Sequence, residues 1–240
     1  MQISVVIPAF NEEKTIGQVL ERLIAKVDAL GEIIIIDDGS SDRTGEICCQ
    51  YSESHPLVHY YRQPRNMGKT EALKEGFRRS TCEIVMIQDA DLEYDPEEIN
   101  AVVEPIQSDV ADVVLGSRFL VRKASRSLYF KHYMANQFIT FCSNLLTDLN
   151  LTDVETCYKA FRGDIIRRMV ITSSRFGFEV EAVARVAKLK CRVYEVPISY
   201  YGRTYEEGKK IGVQDGWLAL FYILKYNLFA TRKSSFRDSP

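Results

Sequence analysis

The chain has 240 residues, 46% of them hydrophobic, and a formal net charge of −2, so it can bury a sizeable core and is not a disordered polypeptide. No long block of like charge is present, which argues against a nucleic-acid partner and means that a small anionic ligand must be met by locally placed cations. Cys48, Cys49, Cys82, Cys142, Cys157 and Cys191 form neither a C-x-x-C pair nor a repeated metal-ligand spacing, the pattern of reduced thiols in a cytosolic protein.

Residues 2–7 predict a first strand, and the run Ile3 to Ile7 follows the start without the basic region and separate apolar stretch of a signal peptide. A helix is expected from about Glu12 to Asp28, where Ile16, Val19, Leu20, Leu23, Ile24 and Val27 recur at helical spacing. The second strand, 32–37, carries four consecutive isoleucines, which suits burial on both faces of a parallel sheet. Asp37-Asp38-Gly39-Ser40 then turns the chain, and Ser41 or Asp42 caps a helix reaching about Ser54. A short strand near Val58 to Tyr61, a turn at Asn66-Met67-Gly68-Lys69, a helix to about Arg79 and a strand at 83–87 follow. A helix beginning near Pro96 and a strand at Asp112 to Leu115 complete an open α/β core.

Beyond Gly116-Ser117-Arg118, segment 120–130 carries Arg122, Lys123 and Arg126 with weak periodicity, either a cationic loop over a ligand or an ordinary solvent-facing connection. Helical periodicity resumes from Tyr129 to Leu146 and again over 176–189, and Cys191 to Val196 reads as a strand. Trp217 to Phe229 is strongly apolar yet shorter than the roughly 20 residues of a bilayer-spanning helix. It can cover the sheet, meet a partner or lie in a membrane interface. These features divide the chain into an α/β domain at 1–211, an apolar helix at 212–230 that packs on the core or lies at a membrane, and a polar tail at 231–240.

Asp89 and Asp91 follow the buried strand at 83–87, where open α/β sheets place their ligands. Two carboxylates there suit a divalent cation holding phosphates, although an acidic turn can also satisfy backbone donors. Asp91 is the leading metal ligand, Asp89 acts directly or through water and nucleotide contacts, and Glu93 is either an additional ligand or a residue that supports the ligands from behind. Gly68-Lys69 lacks the Gly-x-x-x-x-Gly-Lys-Ser/Thr pattern of a phosphate loop, so Lys69 either reaches phosphate or is a helix-start charge.

Val5-Val6-Ile7-Pro8-Ala9-Phe10-Asn11-Glu12-Glu13, Asp37-Asp38-Gly39-Ser40-Ser41-Asp42, Asn66-Met67-Gly68-Lys69 and Asp89-Ala90-Asp91, in this order, resemble the donor-site motifs of family 2 glycosyltransferases. The resemblance implies the GT-A nucleotide-diphospho-sugar transferase fold, an α/β architecture with a mostly parallel central sheet flanked by helices. Within the family it points toward dolichyl-phosphate mannose synthases and bacterial polyprenyl-phosphate glycosyltransferases. It implies that Pro8, Phe10 and Glu12 border the base and ribose, that Asp38 lies near them, and that Asp89, Ala90 and Asp91 meet nucleotide and metal. Turn formation, packing and helix-end stabilisation are competing roles for Pro8, Phe10, Glu12 and Asp38.

The same resemblance places Arg118 near the donor diphosphate and acceptor phosphate, with Arg126 and Lys131 as weaker acceptor contacts. Arg203 and Lys209 are expected to reach phosphates, in a segment whose wording departs from the Gly-Glu-Ser-Lys of dolichyl-phosphate mannose synthases. Asp153 is the general-base candidate if the acceptor is a hydroxyl; Glu155 suits a surface ion pair and Cys157 packing. The implied reaction is inverting, assisted by Mg²⁺ or Mn²⁺, and moves mannose or glucose from a GDP- or UDP-hexose to polyprenyl phosphate at the cytoplasmic face of a membrane. Transfer to a soluble glycan or hydroxyl, nucleotide-sugar binding without transfer, and homo-oligomerisation stay open.

Overall fold

The computed structural model describes residues 1–120, 129–203 and 213–237. Arg122, Lys123, Arg126 and Lys209 lie outside the described residues. The sheet is built by β1 (Ile3–Ala9), β2 (Leu30–Asp37), β3 (Val58–Arg62), β4 (Ile84–Ile87), β5 (Val113–Ser117), β6 (Lys159–Arg162) and β7 (Val193–Pro197), in the order β3-β2-β1-β4-β6-β5-β7. Every neighbouring pair is parallel except the two that involve β6, which runs antiparallel to both β4 and β5.

The isoleucine and valine runs follow from burial on both faces. Val5 and Ile7 of β1, Ile33 and Ile35 of β2 and Met86 of β4 meet α1 (Ile16–Lys26) and α4 (Ile99–Gln107) through Leu20, Leu23, Val102 and Ile106. Val6, Val85, Ile87 and Leu115 point the other way, onto α3 (Lys69–Arg79) and α7 (Phe178–Ala187), where Leu73, Phe77 and Phe178 lie. The remaining helices are α2 (Thr44–Ser54), α5 (Phe130–Thr147), α6 (Gly163–Arg168), α8 (Val213–Leu228) and α9 (Arg232–Ser235). α5 and α7 both pack against α8, which buries Ala219, Tyr222, Ile223 and Tyr226 while Trp217, Phe221, Leu224 and Leu228 are exposed. Among the described residues, no helix is long and apolar enough to cross a membrane.

Local differences from the periodicity have identifiable causes. The first helix starts at Ile16 rather than Glu12, because Asn11 takes a left-handed φ of 53° and residues 12–15 form a turn instead. Asp42, not Ser41, secures the start of α2, accepting from the Thr44 amide at 3.0 Å and the Thr44 hydroxyl at 2.6 Å. Pro96–Glu98 forms a 3-10 turn whose Asp95 carboxylate accepts from Glu97 N, and the α-helix proper begins at Ile99. Strand β6 escapes a pattern reading because it has only four residues and opens on a charge, Lys159, that is 1% exposed.

α3 crosses β1 closely enough that a Cβ on Gly76 would lie 2.3 Å from Val6 Cγ1, inside a fully buried layer. Gly76→Ala is therefore expected to destabilise the fold by about 1–3 kcal/mol, read as a lower urea midpoint with an unchanged slope.

Candidate active site

The site gathers at the carboxyl ends of β1, β2, β4 and β5. Because β6 is antiparallel, its amino end lies at the same edge, with Leu115 opposite Lys159 and Met86 opposite Ala160. Residues 151–158 therefore arrive between the ends of β4 and β5, bringing Asp153, Glu155 and Cys157 to the edge that carries Asp89, Asp91 and Arg118.

Side chains stitch the first two loops together. Asn11 N donates to Ser40 Oγ at 3.0 Å, Ser41 N to Asn11 Oδ1 at 2.8 Å, and Glu12 N to Thr44 Oγ1 at 2.8 Å. Asp38 accepts one amide on each oxygen, Met67 N at 2.7 Å and Gly68 N at 2.8 Å, so it fixes the turn before α3. Burial pushes its carboxyl above the usual range against those two donors. Gly68 sits at φ 95°, a conformation that side chains disfavour. Pro8 and Phe10 are half-buried around the same edge. The hydroxyl of Thr15 reaches the Ala90 carbonyl at 2.9 Å and ties this loop to the aspartate pair.

Each aspartate of that pair faces a different cation. Asp89 Oδ1 is 2.6 Å from Lys69 Nζ, which also lies 3.0 Å from Cys157 Sγ and 3.6 Å from Glu179 Oε1. Burial disfavours the ammonium, yet the surrounding anions, Asp89 foremost, hold its pKa well above the usual value; burial disfavours the Asp89 carboxylate too, and the Lys69 cation in turn holds Asp89 below its ordinary value. Lys69 thus acts here as the counter-ion of Asp89. Asp91 Oδ2 is 2.5 Å from Arg203 Nη2, and the same guanidinium is 3.0 Å from Glu93 and 3.4 Å from Glu12. Burial, with Asp89 and Glu93 nearby, pushes Asp91 up to about 7 despite Arg203.

On the other side Arg118 forms a fork with Asp153, Nε to Oδ2 at 2.6 Å and Nη2 to Oδ1 at 2.8 Å. Asp153 is fully buried and both its oxygens are committed, so it holds the arginine and offers no free carboxylate for a general base. Tyr200 joins the two halves: its hydroxyl donates to Glu93 at 3.0 Å, and the Arg118 guanidinium lies over its ring, 5.0 Å from the centroid. Lys131 is exposed in the first turn of α5.

Sequence reading passed over Glu179, in the first turn of α7, whose 4% exposure and proximity to Lys69 make it part of this edge. Its sign in the sequence is the acidic pair Glu179 and Glu181 within a helix whose other residues, apart from Arg185, are apolar. Glu155 is likewise not a surface residue in its charged part, since Oε1 is buried; neither it nor Glu179 Oε2 has a hydrogen-bond partner among the described residues.

Among the described residues, no three His, Cys, Asp or Glu side chains form a ready-made metal cage. The fit is nevertheless favourable. Asp91, Glu93 and Glu12 converge on one guanidinium, so their oxygens already accommodate positive charge, and magnesium-like ions typically take one or two carboxylates and complete their shell with substrate phosphates and water.

A mostly parallel sheet with acidic strand ends and clamped arginines at one edge fits the GT-A architecture of glycosyltransferases. Residues 4–170 match the Glycosyl transferase family 2 signature, and the chain belongs to that family of glycosyltransferases. It is 29% identical over 218 residues to the undecaprenyl-phosphate mannosyltransferase of Micrococcus luteus, covering 88% of each chain. It is 30% identical over 211 residues to the undecaprenyl-phosphate 4-deoxy-4-formamido-L-arabinose transferase of Edwardsiella ictaluri, covering 86% of this chain and 62% of that one. Among solved structures, glucosyl-3-phosphoglycerate synthase from Mycobacterium tuberculosis, in complex with Mn²⁺, UDP and phosphoglyceric acid, superposes with a TM-score of 0.73 at 18% identity, covering 99% of this chain and 80% of that one, which establishes a common fold.

Burial first, and then Glu179, raises Glu155 from its ordinary 4.5 to about 7, against Lys159 and Arg118. Folding therefore takes up a proton at this residue. The associated stability is full below the unfolded value and is lost as pH rises from about 4.5 to about 7. Glu155→Gln is expected to remove that decline, leaving the variant more stable than wild type at pH 8 by on the order of 1–3 kcal/mol, measured by denaturation across pH.

Proposed function

We propose that this glycosyltransferase moves a hexosyl group, mannose or glucose, from a GDP- or UDP-sugar to polyprenyl phosphate with inversion. The observation that carries the reading is the juxtaposition made by Tyr200: an acidic donor edge at Glu93 and a clamped Arg118 share one side chain. Relatives named for undecaprenyl phosphate acceptors support the same acceptor class, although their sugars differ.

In this reading Pro8, Phe10 and Asp38 border the nucleoside, while Ala90 places its backbone beside the two aspartates. Asp91, with Asp89 or Glu93, would hold Mg²⁺ or Mn²⁺, which supplies positive charge to the departing diphosphate. Arg118, fixed by Asp153, orients the acceptor phosphate. A phosphate oxygen, already anionic, forms the new bond to the anomeric carbon from one face as the bond to the diphosphate breaks on the other. The diphosphate leaves with the bonding pair, and no proton has to be removed by a base. That agrees with Asp153 having no free oxygen.

A hydroxyl acceptor is the second reading. Glu155 Oε1 and Glu179 Oε2, which have no hydrogen-bond partner among the described residues, favour it, as they offer places for the proton that an alcohol must lose.

α5 and α8 also expose Phe138, Phe141, Leu145, Trp217, Phe221 and Leu224, and the basic Lys225, Arg232 and Lys233 follow in or just after α8 along the chain. We place these apolar side chains against the cytoplasmic surface of an anionic bilayer, where the lipid acceptor resides.

Incubation with a panel of nucleotide-sugars, polyprenyl phosphate and divalent metal should release nucleoside diphosphate and form a glycosyl-phosphate lipid. Chelation should abolish the product and Asp91→Ala should lower its rate by about 100-fold or more. Undiminished transfer after chelation rejects the metal, and transfer only to alcohols rejects the acceptor. Vesicle co-sedimentation should fall by at least about tenfold when Phe138 and Phe221 are both replaced by aspartate; unchanged binding removes the membrane placement.

A further inference from the structure

Arg203 spreads its guanidinium over three acids from two loops, a different arrangement from the one-to-one fork of Arg118 with Asp153. Nη2 lies 2.5 Å from Asp91 Oδ2, Nε 3.0 Å from Glu93 Oε1 and Nη1 3.4 Å from Glu12 Oε1. A planar cation with several donors satisfies converging carboxylates much as a hard metal ion would.

Glu93 holds this segment in a second way that does not use the guanidinium. Its Oε1 accepts the backbone N–H of Arg203 at 3.0 Å and its Oε2 the hydroxyl of Tyr200 at 3.0 Å. Its own carbonyl accepts the N–H of Tyr201 at 2.8 Å. Those three bonds anchor residues 200–203 to the loop after β4 whether or not the arginine side chain stays on Asp91. The head of Arg203 can leave while its backbone remains beside the donor edge.

We infer that Arg203 is the resident counter-ion of Asp91, and that a divalent metal must displace it, so that metal binding becomes dependent on the donor. Guanidinium and metal compete for the same carboxylate oxygens. Without nucleotide, metal entry strips the guanidinium of its acidic partners and gives it none in return. With a nucleoside diphosphate present, the displaced guanidinium exchanges carboxylates for phosphate oxygens, which it meets with the same fork geometry. Metal and donor then strengthen each other's binding through one positioning residue, and the coupling is reciprocal. The inference rests on the donor-metal reading of Asp91.

The test is Mn²⁺ titration of the full chain, followed by electron paramagnetic resonance, with and without saturating UDP or GDP. Wild type should bind Mn²⁺ weakly alone and more tightly with the accepted nucleotide. Arg203→Gln should bind Mn²⁺ without nucleotide on the order of tenfold more tightly than wild type, because a competing state has been removed, and should gain less from nucleotide. Arg203→Lys, which keeps a cation, should restore the weak nucleotide-free binding; its melting temperature and that of the Gln variant establish that both are folded. If the folded Gln variant binds free Mn²⁺ no more tightly than wild type, or if Lys and Gln tighten binding equally, the exchange is overturned while nucleotide-dependent Mn²⁺ binding by wild type leaves the donor-metal reading standing. If wild type binds no Mn²⁺ with either nucleotide, both fall together.

Discussion

Acidic side chains at the end of a buried sheet need cations or hydrogen-bond donors against them: Asp38 is met by two backbone amides, and Asp89, Asp91 and Asp153 by cations. Three times this edge solves that problem by drawing the cation from a distant part of the sequence: Lys69 for Asp89, Arg203 for Asp91 and Arg118 for Asp153. Removing one member of such a pair leaves its partner charged in poor solvent, which costs more than the pair itself contributes. The loops are consequently held to one another by charge as well as by packing.

The strand order makes those pairings possible. Had β6 run parallel, the segment before it would have emerged at the opposite edge, and Asp153 would not meet the arginine at the end of β5. Antiparallel insertion between β4 and β5 instead delivers 151–158 to the donor edge and places Cys157 against Lys69. The short strand is therefore a topological requirement of the site, and its buried Lys159, donating to the Val154 and Thr156 carbonyls, ties the incoming loop to the strand.

Long periodic elements were legible in the sequence: the two isoleucine-rich strands, the helices on either side of them and the strand before Asp89 appear within a few residues of their expected places. The strand ends that carry Asp38, Asp89, Asp91 and Arg118 were legible as well, since they follow from the order of elements, whereas Asp153 reaches the same edge only through the short antiparallel β6. What was not legible depends on partners distant in the chain. Lys69 looks the same in sequence whether it meets phosphate or Asp89, and Asp153 looks like a base until Arg118 is seen to occupy both its oxygens. Glu155 has the composition of a surface residue, and only tertiary burial raises its pKa.

The two arginines at this edge differ in a manner that bears on their chemistry. Arg118 gives two hydrogen bonds to one buried carboxylate and stands over Tyr200, so its orientation is fixed before any ligand arrives. Such preorganisation suits a group that must hold an anion in line for attack, because little ordering remains to be done on binding. Arg203 divides itself among three acids, with one contact as long as 3.4 Å, and its backbone is secured independently of its head. That arrangement suits a group that changes partners. In the proposed reaction the two arginines would divide the work: Arg118 would stay with the incoming phosphate, and Arg203 would yield its carboxylate as the donor arrives and meet the diphosphate that leaves.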